Sequence, residues 1–582
     1  MPQTTEHALV RRFVPAELDP AQLDQLEPLY QQLLERDLPD ATALEAWLTD
    51  YAELSSVVGE FAARRNIEHA CHTEDEDVFK AFMHWVETLA PALKPYGFKL
   101  AKKYLDAAGR NELEARDERF RMIGRSWEAE AEIYRDANIP LQTRITKLNT
   151  DYDQRIGAMQ VEYRGETFTL QQLGRFLEET DRTVRQETWE LSTNRRLEDR
   201  EAIDTVYSDM IKLRQEVAQN ADLPDYRAYV WKSMERFDYT PQHCQDFADA
   251  IEKVCVPRVA ELDRQRRDAL GLDALRPWDG SVDLQGREPL RPFDAKNVQT
   301  LVDGGVEVFR RVSPVLSEQF AEMQMGRNLD LDSRRGKRAG GFQSSLAESR
   351  EPFIFMNAAG LQRDVDTLLH EGGHAFHYQW ASRNEPLYFL HHAPIEFCEV
   401  ASMSMELLGC EHYDVFYDDP ELGPAQAARA KRKQLEGIVR ILPWIATIDR
   451  FQHWVYEHPQ HTVEQRTDAW RDIFGRFGSS EVDWTGYEAG FDARWQAQLH
   501  LFHHPFYYVE YGIAQLGALQ LWQNYQRDPE QTLKQYRDAL SLGATKPLPD
   551  LFQAAGIKFD FSESTLAPLI DAVADELAKL PD

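Results

Sequence analysis

The sequence predicts a mainly α-helical protein carrying a small β-sheet. Three observations lead there: long segments repeat apolar residues at three- and four-residue intervals, those segments use strong helix formers, and two short stretches show a β pattern instead. In chain order, "DPAQLDQLEPLYQQLLERDL" (19–38), "DVFKAFMHWVETLAPALKPYGFKLAKKYLDAA" (77–108) and "TVRQETWELSTNRRLEDREAIDTVYSDMIKLRQEVAQNA" (183–221) read as helical. "VEYRGETFTL" (161–170) reads as a hairpin turning at Gly165, because β-branched and aromatic residues flank the glycine. "EPFIFMN" (351–357) is a continuous apolar run of the kind found in a buried strand. Gly, Pro and Asp make 271–293 a loop region, and "DSRRGKRAGGFQSS" (332–345) reads as another. The long helical start ahead of the loop-rich middle suggests a division into an N-terminal helical domain over 1–195 and a second domain over 196–582.

Charge excludes some partners. Against 66 basic residues stand 98 acidic ones, a formal net charge of −32, and so negative a surface repels phosphate backbones and anionic membranes. Nucleic acid and membrane are therefore not expected as partners. No apolar run reaches the roughly 18 residues a membrane span needs, and the N-terminal stretch has no apolar core to serve as a secretory signal. Five cysteines, odd in number and never arranged Cys-x-x-Cys, fit a reducing cytoplasm without a disulfide framework or a thiolate zinc site. Nothing in the sequence sets an oligomeric state.

The chemistry concentrates at "DTLLHEGGHAFH" (366–377). On a helix, His370 and His374 lie on one face a turn apart, where both imidazoles reach one zinc ion, and Glu371 on the neighbouring face can act as base toward a water there. With 17 histidines in the chain, chance alone yields such a pentapeptide on the order of 0.05 times, so corroboration is needed. Gly372 and Gly373 supply some, since each costs roughly 1 kcal/mol in a helix and suits one that something approaches closely. A third ligand is required. "APIEFCEVASMSMELLG" (393–409) places Glu396, Glu399 and Glu406 on roughly one helical face amid apolar neighbours, where carboxylates are costly unless they bind a cation or histidines. Glu399 is assigned as the ligand, Glu396 and Glu406 as acceptors for imidazole N–H groups; His377, His391 and His392 are read as packing or surface residues.

"DVDTLLHEGGHAFH" followed by "PIEFCEVASMSME" resembles the metal site of the thimet oligopeptidase and oligoendopeptidase F family of zinc metallopeptidases. "LGLDALRPWD", "KRAGGF", "PFIFMN" and "HLFHHPFYYVEYGIAQLGALQLW" are similar to further segments of that family, and "TDRTVRQETWE" more weakly so. The resemblance implies a zincin-type fold with a helix-lined deep channel, a small sheet near the active site, one zinc ion per chain and short peptides as substrates. Pro505 suits the first turn of a helix on which Tyr508 and Tyr511, three apart, share a face, and the resemblance implies that His500, Tyr508 and Tyr511 meet the substrate carbonyl. The strand Phe353, Ile354, Phe355 and Met356 would offer exposed backbone groups to an extended peptide. Gly340, Gly341, Phe342 and Gln343 stand where a small-small-aromatic-Cys sequence is expected, so no thiol regulation is inferred. Competing readings are a helical zinc carboxypeptidase and a peptide-binding scaffold with a vestigial metal site.

Overall fold

The structure is a computed structural model that describes residues 7–581 apart from Arg335 and Ala339, two positions of the loop read at 332–345. Helices dominate, as the periodicity predicts. The first apolar run forms the helix Leu23–Glu35, and residues 77–108 fall in the helices Glu76–His84 and Ala90–Leu105, joined by a π-helical turn at Trp85–Leu89. Residues 183–221 divide at Asp199 into Arg182–Glu198 and Arg200–Asn220. Among the described residues, no helix is long and apolar enough to cross a membrane.

Contacts divide the chain into two units. Unit 1 comprises 1–132, 291–431 and 514–559; unit 2 comprises 133–290, 432–513 and 560–582. Residue 195, where a division was expected, falls in unit 2 inside the helix Arg182–Glu198.

In unit 2, strands β1 (Gln160–Tyr163) and β2 (Glu166–Thr169) form the expected hairpin, with Arg164 and Gly165 at φ 53° and 85° in its turn. A two-residue turn with both central residues at positive φ matches the strand twist, and glycine takes that conformation at no steric cost. The loop region after residue 270 is pinned by Asp279, fully buried, which accepts from Arg182 Nη2 at 2.7 Å, from Arg185 Nη2 at 3.1 Å and from the Arg276 backbone N–H at 2.9 Å. Two segments that carry the family resemblance are thus tied together by a charge-assisted network.

Unit 1 holds a large apolar core built from its N-terminal helices, including Trp47, Leu54 and Tyr104, and closed by Leu387 and Leu390. Its sheet has the order β3-β5-β4, from β3 (Leu329–Asp332), β4 (Phe342–Leu346) and β5 (Glu351–Ala358). β3 runs parallel to β5 and β4 antiparallel to it, with Gln343 opposite Ile354. Two expectations need correcting here. The loop read at 332–345 ends early: its last four residues belong to β4, a serine-containing strand that depends on pairing with β5 more than on its own propensity. β5, the run containing Phe353, Ile354, Phe355 and Met356, is central and paired on both edges, so its backbone groups are already used and cannot take an added peptide.

Candidate metal centre and active site

The motif lies on the helix Gln362–Asn384 of unit 1. Asp364 fixes its start, accepting from the backbone N–H groups of Ala359 at 2.7 Å and Leu361 at 2.9 Å. After a turn through 385–394, the second helix, Ile395–Cys410, returns against it. The glycine pair now has a packing reason. A Cβ at Gly373 would stand 2.6 Å from the Ala401 carbonyl oxygen and 2.6 Å from Ser402 Cα, both backbone atoms of the second helix; one at Gly372 would meet the Phe309 ring at 2.7 Å. Only glycine permits so close an approach, and that approach carries Glu399 to the imidazoles.

His370 Nε2 and His374 Nε2 lie 3.5 and 3.6 Å from the same oxygen, Glu399 Oε2. One donor atom from each of the three falls within 4.8 Å of the others. The edge of a tetrahedron of zinc-to-nitrogen or zinc-to-oxygen bonds of about 2.0–2.1 Å is about 3.3–3.4 Å, so these separations suit one small divalent ion. Glu399 is almost wholly covered, whereas the side chains of His370 and His374 keep 21% and 18% of their exposure, leaving the imidazole side of the site open.

The surrounding groups orient the donors. Glu406 Oε1 sits 2.6 Å from His370 Nδ1, which places that ring's proton on Nδ1 and turns Nε2 toward Glu399. Burial disfavours charge on His370, but the hydrogen bond to Glu406 and the charges of Glu406, Glu399 and Glu371 prevail and raise it to about 10. A cation is thus favoured at this spot. Ser402 Oγ lies 3.0 Å from Glu399 Oε2. Glu371 is buried; burial pushes its carboxyl above the usual range, against the histidines and the Gln343 backbone N–H that favour its ionised form. That N–H belongs to β4, so a sheet strand adjoins the prospective base. Glu396 is buried on the same helix as Glu399. His377 packs edge-on to Phe397, with burial lowering it to about 3, and His392 stacks on Tyr378.

His500, Tyr508 and Tyr511 belong to unit 2, where their rings form one cluster: centroids lie 4.9 Å apart for His500–Tyr508, 5.8 Å for His500–Tyr511 and 5.4 Å for Tyr508–Tyr511. Burial pushes the Tyr508 phenol up to about 12. His500 lies on the short helix Leu499–His503, and the following helix, which carries Tyr508 and Tyr511, starts at Tyr508, later than Pro505 suggests, because Phe506 adopts φ 65° and breaks the turn. Arg236 holds that strained residue, donating to the Phe506 carbonyl at 2.5 Å and to Glu510 at 2.6 Å. Sequence reading also missed Trp444 and Gln498. Trp444 Nε1–H donates to Gln498 Oε1 at 3.0 Å, which turns the amide NH₂ toward His500 Nδ1 at 2.7 Å. His500 then carries its proton on Nε2, as a donor. Gln498 lies two residues before His500 but has no motif signal of its own, and Trp444 is 54 positions from Gln498, so only tertiary structure brings the pair out.

A sequence profile described as peptidase family M3 matches residues 175–569. The chain belongs to peptidase family M3. Among curated relatives it is 25% identical over 276 residues to the oligopeptidase PepF of Bacillus subtilis, covering 46% of this chain and 40% of that one. It is 22% identical over 306 residues to an oligoendopeptidase F homolog of Mycoplasma pneumoniae, covering 50% and 48%. The chain spans about half the length of the curated relatives it matches. The solved structure of Pz peptidase A with an inhibitor shares the fold, with a TM-score of 0.89, 24% identity and coverage of 97% of this chain and 99% of that one. The M3 match takes in both helices of the His370–His374–Glu399 cluster and the His500–Tyr511 cluster, and leaves the N-terminal helices of unit 1 outside it.

Proposed function

We propose that this M3 chain is a zinc-dependent endopeptidase that hydrolyses internal bonds of short, unstructured peptides. The observation that carries the reading is the convergence of His370, His374 and Glu399 on one point beside the buried carboxylate of Glu371. Those three residues would hold the ion; when bound, zinc supplies a Lewis acid that acidifies a water and polarises the scissile carbonyl. Glu371 takes the proton as the water attacks and hands it to the leaving amine, a transfer helped by a carboxyl whose burial has already raised its proton affinity. Glu406 holds the His370 ring in place, and Glu396 is proposed as a further carboxylate supporting the donors.

The peptide is proposed to lie along β4 instead of β5, because β5 is paired on both edges and the Gln343 N–H already meets Glu371. Main-chain pairing of this kind tolerates many side chains. The role proposed for His500, Tyr508 and Tyr511, donors to the oxyanion of the tetrahedral intermediate, rests on the family resemblance and on their forming one cluster with His500 protonated on Nε2. The cytoplasm is proposed as the location, from cysteines that are few, odd in number and never arranged Cys-x-x-Cys.

An internally quenched peptide blocked at both ends is the test. Cleavage at an internal bond, lost with a chelator and restored by zinc, is expected. Failure to cut it while free C-terminal residues are released from an unblocked peptide would favour a carboxypeptidase, and binding without any cleavage would favour a scaffold.

A further inference from the structure

We propose that unit 2 contains a second metal site, formed by Cys244, Asp449 and His453, that takes a zinc-class divalent ion in a structural role. Cys244 lies in the first turns of the helix Pro241–Ala269, while Asp449 and His453 stand four residues apart on the helix Gly423–Glu457. One donor atom from each lies within 4.8 Å of the others. His453 Nε2 and Asp449 Oδ2 are 3.3 Å apart, the edge of a tetrahedron around zinc at about 2.0–2.1 Å.

The orphaned atoms point to the ligand. Asp449 is 1% exposed and neither of its carboxylate oxygens accepts a hydrogen bond; His453 is 2% exposed, and its Nε2, facing that carboxylate, makes none either. A carboxylate so deeply covered costs several kcal/mol unless a cation or donors compensate it. Aromatic rings flank the imidazole, Trp231 at 5.9 Å and Phe506 at 5.1 Å. Thiolate, carboxylate and a divalent cation sum to zero charge there, and sulfur, nitrogen and oxygen donors together suit zinc. The other imidazole nitrogen, Nδ1, stands 3.5 Å from Arg227 Nη1, at the limit of hydrogen bonding; Arg227 keeps Glu457 and Asp225 as partners when Nδ1 takes up the proton on ligation. Binding displaces the thiol proton to solvent, and the ion then cross-links the two helices. With all three donors buried and no carboxylate placed as a base, the site offers a substrate no entry.

Sequence reading found no thiolate site because the donors come from positions 244 and 449–453, far from any Cys-x-x-Cys pattern. Metal analysis and cobalt spectroscopy of the full chain test the assignment. The variant carrying both His370→Ala and His374→Ala, which lacks the site in unit 1, should retain about one equivalent of metal. The cobalt-loaded wild type should show a thiolate-to-cobalt charge-transfer band that Cys244→Ser abolishes, while Cys244→Ser keeps its peptide hydrolysis. The unit 1 donors contain no sulfur, so that band reports on unit 2 whatever becomes of the proposed peptidase activity. Absence of the band in cobalt-loaded wild type, its persistence in Cys244→Ser, or loss of all metal from the double histidine variant would overturn the proposal.

Discussion

In unit 1, His370 and His374 stand four residues apart on one helix and Glu399 arrives from a second; in unit 2, Asp449 and His453 stand four apart on one helix and Cys244 arrives from a second. The two clusters share this construction and differ in everything around it. The first keeps its imidazoles partly open, has Glu406 on His370 Nδ1, and sets Glu371 against a β4 backbone N–H. The second is sealed among aromatic rings and its carboxylate accepts nothing. Convergent donors therefore make a place for a cation; access, a base and an oriented imidazole are what turn such a place toward hydrolysis.

The difference can be broken at the base. Glu371→Gln removes the proposed proton acceptor and keeps the shape, so hydrolysis should fall by about 10²–10⁴-fold with the metal still bound, read from peptide turnover and metal analysis together. Retained turnover would remove the distinction between the clusters.

It can next be broken at the helix crossing. Gly373→Ala drives a methyl into the Ala401 carbonyl, and backbone cannot swing aside as a side-chain end can. The two helices should separate, costing about 1–3 kcal/mol of stability and displacing Glu399 from the imidazoles. Gly437→Ala is the control: its Cβ meets nothing within 4 Å, so it should be neutral or stabilise by up to about 1 kcal/mol. Thermal unfolding and zinc affinity measured on both variants check this.

A smaller effect is expected from Glu406→Gln, which leaves the ligands in place and weakens the hold on His370. Zinc affinity should drop about 10–100-fold, measured by competition with a chelator of known strength. No loss would mean that the 2.6 Å contact does not orient the ring.

The smallest effect concerns the approach to β4. Lys337 donates to Asp330 Oδ1 at 2.8 Å and to the carbonyls of Asp332 at 2.7 Å and Met356 at 2.6 Å, pinning the chain ahead of that strand. Burial opposes charge on Asp330, yet hydrogen bonds from Arg334 and Lys337 hold its carboxyl well below the usual range. Its contribution to stability is therefore fully present above a pH of about 4, the unfolded value, and is lost as pH falls through the lower folded value. Asp330→Asn should lower stability at neutral pH and flatten its decline in acid, as followed by denaturant unfolding across that range.

Much of this was legible in the sequence for identifiable reasons. Helix periodicity is local, so the helices and the Gly165 hairpin could be read directly, and the spacing of His370, Glu371 and His374 encodes one helical face. β4 was hidden because "FQSSL" owes its strand character to pairing with β5, and the central position of β5 is a property of topology that an apolar run does not reveal. The contact of Trp444 with Gln498, 54 positions away, and the meeting of Cys244 with Asp449, far more distant still, join residues that no local pattern links. No periodicity records such distances.

The central claim is that His370, His374 and Glu399 share one ion beside Glu371. Anomalous scattering at the zinc edge from crystals of the zinc-loaded Glu371→Gln variant tests it most directly. A peak about 2 Å from His370 Nε2, His374 Nε2 and Glu399 Oε2 is predicted; density that avoids any of the three, or no peak there in fully loaded protein, would contradict it.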